Sequence, residues 1–166
     1  MTNIINDILN YLEVKHTKYY VNKLFDEHPH NDDMYGLKEM LKDYNIDSVG
    51  VESEDKNLSD IHFPSLFHTN SEFIIGLECV NNNISFIIGG KQMTMNYEDF
   101  SRMWDGKALV ITSTEDATEK EYYKHMCIEW MTRVSFLSLL VIPIIFVLFR
   151  LLISSYSTID YFPIII

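Results

Sequence analysis

Two cysteines and six histidines are the side chains in this sequence best suited to nucleophilic or metal chemistry. A nucleophile needs a lowered pKa or an adjacent base, and a thiol is best served at a helix N-terminus, where unpaired amides favour the thiolate. Cys79 does not stand at such a place. In the run EFIIGLECV, Phe73, Ile75, Leu77 and Cys79 alternate onto one face, so the pattern predicts an inert thiol in the core. Cys127 precedes an apolar tract and reads as inert or, being juxtamembrane, as a palmitoylation acceptor. The two lie far apart, with no CxxC or Cys/His spacing, which indicates neither a disulfide framework nor a zinc site and fits a reducing compartment.

The segment EHPHNDD, Glu27 to Asp33, gathers two His and three carboxylates, the composition of a metal site. An exposed turn has the same text, with Pro29 ending one helix and Asp33 capping the next, and this simpler reading assigns no metal. His62 and His68 flank a short strand without carboxylates at suggestive spacing and read as surface or hydrogen-bonded core. Gly89 and Gly90 belong to a hairpin and lack the GxxxxGK[ST] context of a phosphate loop, so no cofactor site is read. YEDFSRMW is a solvated face carrying core anchors, Phe100, Met103 and Trp104.

The elements that must position these residues follow from periodicity. Residues 2 to 13 form an amphipathic helix that Thr2 can cap, with Ile4, Ile5, Ile8, Leu9 and Leu12 on one face. A second helix starts near Thr17 and ends before Pro29, and a third follows Asp33 with Leu37, Met40, Leu41 and Tyr44 on one stripe. IDSVGVE and PSLFHT are strands. EFIIGLECV, ISFII and KQMTM follow as a meander broken by NNN and GG turns, a short helix opens near Asn96, and GKALVIT closes the sheet. Helices first and antiparallel strands afterwards predict an α+β domain over residues 1–113, with the helices on one face of the sheet.

Charge and hydropathy divide the rest. The chain carries 24 acidic against 13 basic residues, a formal net charge of −11, and nearly all of it precedes Val134. That balance argues against nucleic acid, whose phosphates are bound through Lys and Arg. Residues 114–133 read as a polar linker and juxtamembrane helix. Residues 134–153 carry one charge, Arg150, and at ~1.5 Å per residue can cross the ~30 Å core of a bilayer, giving a transmembrane helix. Lys120, Lys124 and Arg133 before the span, against Arg150 near its far end, favour a cytoplasmic N-terminal domain, and the N-terminus lacks the pattern of a secretory signal. Residues 154–166 read as a loop followed by the start of a second membrane segment in a longer protein, or by an interfacial anchor with Tyr161 and Phe162 at headgroup depth.

In order, VKHTKYYVNKLFDEHP, MYGLKEMLKDYNIDSVGV, FPSLFHT, EFIIGLECV and NYEDFSRMWDGKALVIT resemble the papain-like peptidase domain that removes double-glycine leaders in bacterial peptide-exporting ABC transporters. The resemblance covers residues 12 to 113 and implies a papain-like fold with a peptide as partner. In that family a Cys opens the first core helix, a His begins the central strand and an Asp follows in the next hairpin. Carried over by position, these slots fall at Thr17 (or His16), at Glu72 and at the Gly89–Gly90 turn, all substituted. A Thr17 nucleophile would need a base, for which Glu72 is the geometric candidate; without a thiolate, acyl transfer has no starting point.

With VKHT at the cysteine motif, the text also resembles the domain that precedes the membrane bundle of certain bacterial vitamin K epoxide reductase-like proteins. Those proteins pass electrons from a CxxC to quinone, and here any such motif would lie beyond Ile166. The expectation is a membrane-tethered, catalytically inactive cysteine-peptidase-like domain that binds a peptide or partner chain, with no cofactor and no metal. The alternative is the accessory domain of such a thiol oxidoreductase.

Overall fold

The computed structural model describes residues 3–58, 61–69 and 72–157. Thr2 and residues 158–166, with Tyr161 and Phe162, lie outside the described residues; the backbone of residues 154–157, predicted as a loop, continues the last helix instead. The chain forms two compact units, Met1–His125 and Met126–Ile166.

In the first unit each helix begins where a side chain satisfies its orphan amides. Asn3 caps α1 (Ile4–Tyr11), accepting from the amides of Ile5 and Asn6. Thr17 caps α2 (Lys18–Glu27) and Asp33 caps α3 (Met34–Asp43). The strands are β1 (Asp47–Glu52), β2 (Ser65–Thr69), β3 (Phe73–Val80), β4 (Asn83–Ile88) and β5 (Lys91–Asn96); after α4 (Tyr97–Met103), capped by Asn96, comes β6 (Trp104–Ser113). All pairings are antiparallel, in the order β1-β6-β2-β3-β4-β5. The meander β2 to β5 is as the text predicts. β6 closes the sheet by inserting between β1 and β2, and its inner residues are apolar towards both faces, Leu109 on one and Ala108 and Val110 on the other.

Two cores result. Leu66, Ile75, Leu77 and Leu109 pack under α1–α3 with Ile5, Ile8, Leu9, Leu37 and Leu41. On the opposite face Phe67, Ile74, Phe86, Ala108 and Val110 pack against Phe100 of α4 and Trp104. The sheet is therefore covered on both faces, with the three N-terminal helices on one and α4 on the other.

Cys79 departs from the prediction. The β3–β4 register shifts between Gly76 and Glu78, and one extra residue in a strand reverses its alternation. Cys79 then pairs with Ile84, a member of the α4-side cluster, rather than sharing the face of Ile75 and Leu77, and its thiol is exposed. Cys127 is exposed as well.

Residues 114–121 run along the domain. The Thr118 amide donates to the Tyr44 carbonyl (3.0 Å), the Glu119 amide to that of Lys15 (3.3 Å), and Ala117 packs on the helix-side core. The last element, α5, spans Tyr122–Ser157, and Pro143 lies inside it without ending it. From Phe136 to Ile153 its large apolar side chains are exposed; with a mean hydropathy of 2.8 in its most apolar window, it is long and apolar enough to cross a membrane.

Candidate functional site

A cavity of about 880 Å³ opens where four parts of the first unit converge. The mouth of α1 contributes Asn3 and Ile4, α2 contributes Asn22, Phe25 and Asp26, and the turn before α3 contributes Asn31 and Asp32. The sheet contributes His68 from the end of β2, Glu72 and Phe73 from the start of β3, and Gly89 from the β4–β5 turn. Gly89 and Gly90 both have positive φ (56° and 75°), the conformation a two-residue hairpin turn requires.

The walls are tied together by side-chain amides. Asn3 spends its oxygen on the α1 amides and donates its nitrogen to the Val21 carbonyl (3.2 Å), joining α1 to α2. Asn31 donates to the Phe25 carbonyl (2.9 Å), holding the turn against the end of α2. Asp7, one turn into α1, has its pKa raised by burial, against the lowering effect of the Asn6 side chain and the Gly90 amide.

Glu72 and Gly89 both line this cavity, whereas Thr17 does not. Thr17 is buried at the start of α2, its hydroxyl accepting from the Tyr20 amide (3.3 Å) and donating to Glu119 (2.9 Å). The neighbouring His16 places Nδ1 2.7 Å from the Val14 carbonyl oxygen. In the EHPHNDD turn, His28 meets Glu39 (3.5 Å) and His30 meets Asp33 (3.0 Å), whose other oxygen caps α3 through the Gly36 amide (2.8 Å).

Two features of this unit escaped the sequence reading. His68 Nδ1 is hydrogen-bonded to Asp105 at the start of β6, and its ring lies 4.7 Å from that of Phe73. Burial works against the Asp105 charge, but the His68 hydrogen bond and the Lys107 amide outweigh it and hold the pKa below the usual carboxylate value. The partners are 37 residues apart, so no local spacing reveals them. The second feature is Glu119, whose side chain is fully buried between Thr17 and His125. It sits in text read as a solvated linker, where a carboxylate gives no sign of burial.

Tyr44 adjoins this buried carboxylate. Its ring is fully buried, its hydroxyl has no hydrogen-bond partner among the described residues, and burial, then the charge of Glu119, pushes its pKa well above the ordinary tyrosine range. A raised folded-state pKa contributes stability that is complete below the unfolded value of ~10 and lost as pH climbs through and above it. Tyr44→Phe is therefore expected to gain about 1 kcal/mol at neutral pH, by removing an orphaned hydroxyl, and to lose stability less steeply above pH ~10 than the wild type. Urea unfolding curves measured at pH 7 and across pH 9 to 11 check this; coincident alkaline profiles would show that the hydroxyl titrates freely.

A six-stranded antiparallel sheet with three N-terminal helices on one face and a cavity at the mouth of the first defines the papain-like α+β class. The sequence matches the peptidase C39 family over residues 4–116, and the chain belongs to that family. Among solved structures, it is similar to the double-glycine-motif protease of an AMS/PCAT transporter in complex with the leader peptide (17% identity over 63% of this chain and 76% of that one, TM-score 0.54). It is also similar to the peptidase C39-like domain of a toxin secretion ATP-binding protein from Vibrio parahaemolyticus (10% identity, 66% and 92% covered, TM-score 0.55). A third likeness is to the peptidase domain of Streptococcus ComA, a bifunctional ABC transporter of a quorum-sensing pathway (14% identity, 66% and 87% covered, TM-score 0.55). At these identities the likeness is one of fold. No curated protein matches the chain significantly.

Proposed function

We propose that the chain is a membrane-tethered C39 peptidase-like domain that binds an extended peptide without cleaving it. The observation that carries this is the composition of the cavity: it holds Asn3, Glu72 and Gly89, and no thiol. Asn3, the cap of α1, stands at this cavity, whereas Thr17, the position carried over for the family's nucleophile, is hydrogen-bonded to Glu119 and does not line it. A carboxamide with both ends hydrogen-bonded offers no nucleophile, and Glu72 at the head of β3 offers no imidazole. His68, held by Asp105, lines the same cavity but has no thiol to activate. Cys79 is at the opposite end of β3 from Glu72, roughly 20 Å away at ~3.3 Å per residue.

What remains suits binding. The carboxamides of Asn22 and Asn31 can pair with a peptide backbone, and Ile4, Phe25 and Phe73 offer apolar surface to its side chains. The relative solved with a leader peptide makes a double-glycine leader the first ligand to try. The apolar stretch of α5 is the tether, with Lys120, Lys124 and Arg133 on the cytoplasmic side. The vitamin K epoxide reductase-like alternative rests on sequence text alone, and the reading frame past Ile166 decides it: a CxxC within a further hydrophobic span would establish it.

Fluorescence anisotropy of a labelled double-glycine leader peptide, with the full chain in detergent micelles, tests the proposal, and mass spectrometry of the same mixture reads cleavage. Saturable binding with intact peptide is expected. Asn22→Arg, which crowds the α2 wall from an exposed position, should weaken binding about tenfold, the equivalent of ~1.4 kcal/mol. The Cys79→Ser, Cys127→Ser double variant should bind as the wild type does. Cleavage of the peptide, or no saturable binding, would overturn the reading.

A further inference from the structure

The buried carboxylate of Glu119 has no part in the groove chemistry, yet three donors converge on it. The Thr17 amide donates to Oε2 (2.5 Å), the Thr17 hydroxyl to Oε1 (2.9 Å), and His125 Nδ1 to Oε1 (2.7 Å). A carboxylate taken fully out of water is tolerated only when paired and hydrogen-bonded. Here the partners come from two directions: Thr17 is the N-cap of α2, whose dipole favours a negative charge, and His125 lies in the first turn of α5. The His125 ring also stacks on Tyr20 of α2, centroids 4.3 Å apart and planes 10° from parallel. All of these residues belong to the Met1–His125 unit.

α2 is thus held at two places. Its N-terminus is fastened through Glu119 to the start of α5, while Asn22, Phe25 and Asp26, one to two turns further on, form a wall of the groove. Between them, the Val21 carbonyl receives the Asn3 carboxamide from the opposite groove wall. From Thr17 to Phe25 is about 12 Å of helix at ~1.5 Å per residue, short enough to move as one body.

We infer that Glu119 is a latch coupling the first turn of α5 to the peptide groove. Latched, α2 is anchored at its cap and the groove wall stands in its binding geometry. Unlatched, the α2 cap loses two donor contacts to the carboxylate, its first turn loosens, and the wall is free to shift. Because coupling is reciprocal, a ligand that favours the latched state slows opening of residues 119–125, and breaking the latch weakens the ligand by the same factor. This coupling rests on the groove being the peptide site proposed above.

Hydrogen exchange by mass spectrometry on the full chain in micelles, with and without the double-glycine leader peptide, tests it in the wild type, Glu119→Gln and His125→Ala. His125→Ala removes one donor and one ring contact, leaves the α2 cap intact and covers the case in which Glu119→Gln does not fold. In both variants, peptides covering Tyr20–Val21 and Lys124–His125 are expected to exchange about tenfold faster, while the β3–β4 hairpin is unchanged. Leader affinity should fall about three- to tenfold, and bound leader should slow exchange at residues 119–125 of the wild type. Uniform acceleration, no acceleration, or acceleration confined to α5 with α2 and affinity untouched would overturn the coupling. If α2 loosens in the variants but the wild type binds no leader, the peptide reading of the groove has failed, and the coupling falls with it.

Discussion

Gly36→Ala is expected to unfold the Met1–His125 unit. A Cβ at this position would lie 1.7 Å from the carbonyl oxygen of His30 and 2.5 Å from its carbonyl carbon. Both are backbone atoms, and the turn that carries them cannot easily retreat. It is pinned by the Asn31 carboxamide on Phe25, by the Asp33 amide on His30 itself and by the Asp33 cap on Gly36. Ordinary overpacking costs about 1–3 kcal/mol because side chains can yield. A backbone collision with no such outlet should exceed about 4 kcal/mol, a large share of the 5–15 kcal/mol that holds a typical domain together. Asn31 and Asp32 of the same turn line the groove, so any folded remnant should also lose leader affinity. Urea denaturation followed by circular dichroism reads the effect; an alanine variant within about 1 kcal/mol of wild type would mean that the α3 entry is far more pliant than its contacts imply.

The second large effect centres on Phe67, fully buried between the edges of Phe100 and Trp104, with ring centroids 5.3 Å away in each case. Phe67→Ala should cost about 3–5 kcal/mol, since the surrounding rings cannot close over so large a void. Gly76 faces this ring from β3: a Cβ there would come within 2.4 Å of Phe67 Cε2. Gly76→Ala should therefore destabilise by about 1–3 kcal/mol in the wild type and by distinctly less beside Phe67→Leu, whose shorter side chain vacates the space. A double-mutant cycle measured by urea unfolding isolates a coupling of about 1 kcal/mol or more. Additive costs would show that the glycine is required for some reason other than the ring.

These two glycines illustrate how much was legible beforehand. Gly36 and Gly76 are unremarkable in the text, one inside a helical stripe and one inside a strand run, because the atoms they accommodate belong to other elements. The elements themselves were readable. Three- and four-residue spacing marks α1 to α3, the NNN and GG turns mark the meander of β3 to β5, and Asp33 declares itself as a cap. The core anchors Phe100 and Trp104 were named from YEDFSRMW and are fully buried. Cys79 was misplaced because a single bulge reverses everything after it, and the alternation rule assumes there is none.

The candidate site was legible by halves. Glu72 and Gly89 stand out from the order of elements and both line the cavity; Asn3 lines it without any mark in the text, and Thr17 faces Glu119 instead. The His68–Asp105 and Thr17–Glu119 pairs span 37 and 102 residues, separations at which no periodicity operates.

The order of residues alone determined the α+β class, the acidic character of the N-terminal part, the apolar helix near the C-terminus and the absence of any CxxC, since each depends only on composition or on repeats a few residues long. Tertiary structure decided the place of β6 in the middle of the sheet, the exposure of Cys79, the makeup of the groove and the burial of Glu119. Those depend on which distant segments share a surface, and desolvation and hydrogen bonding act on whatever is nearest in space, however far apart along the chain.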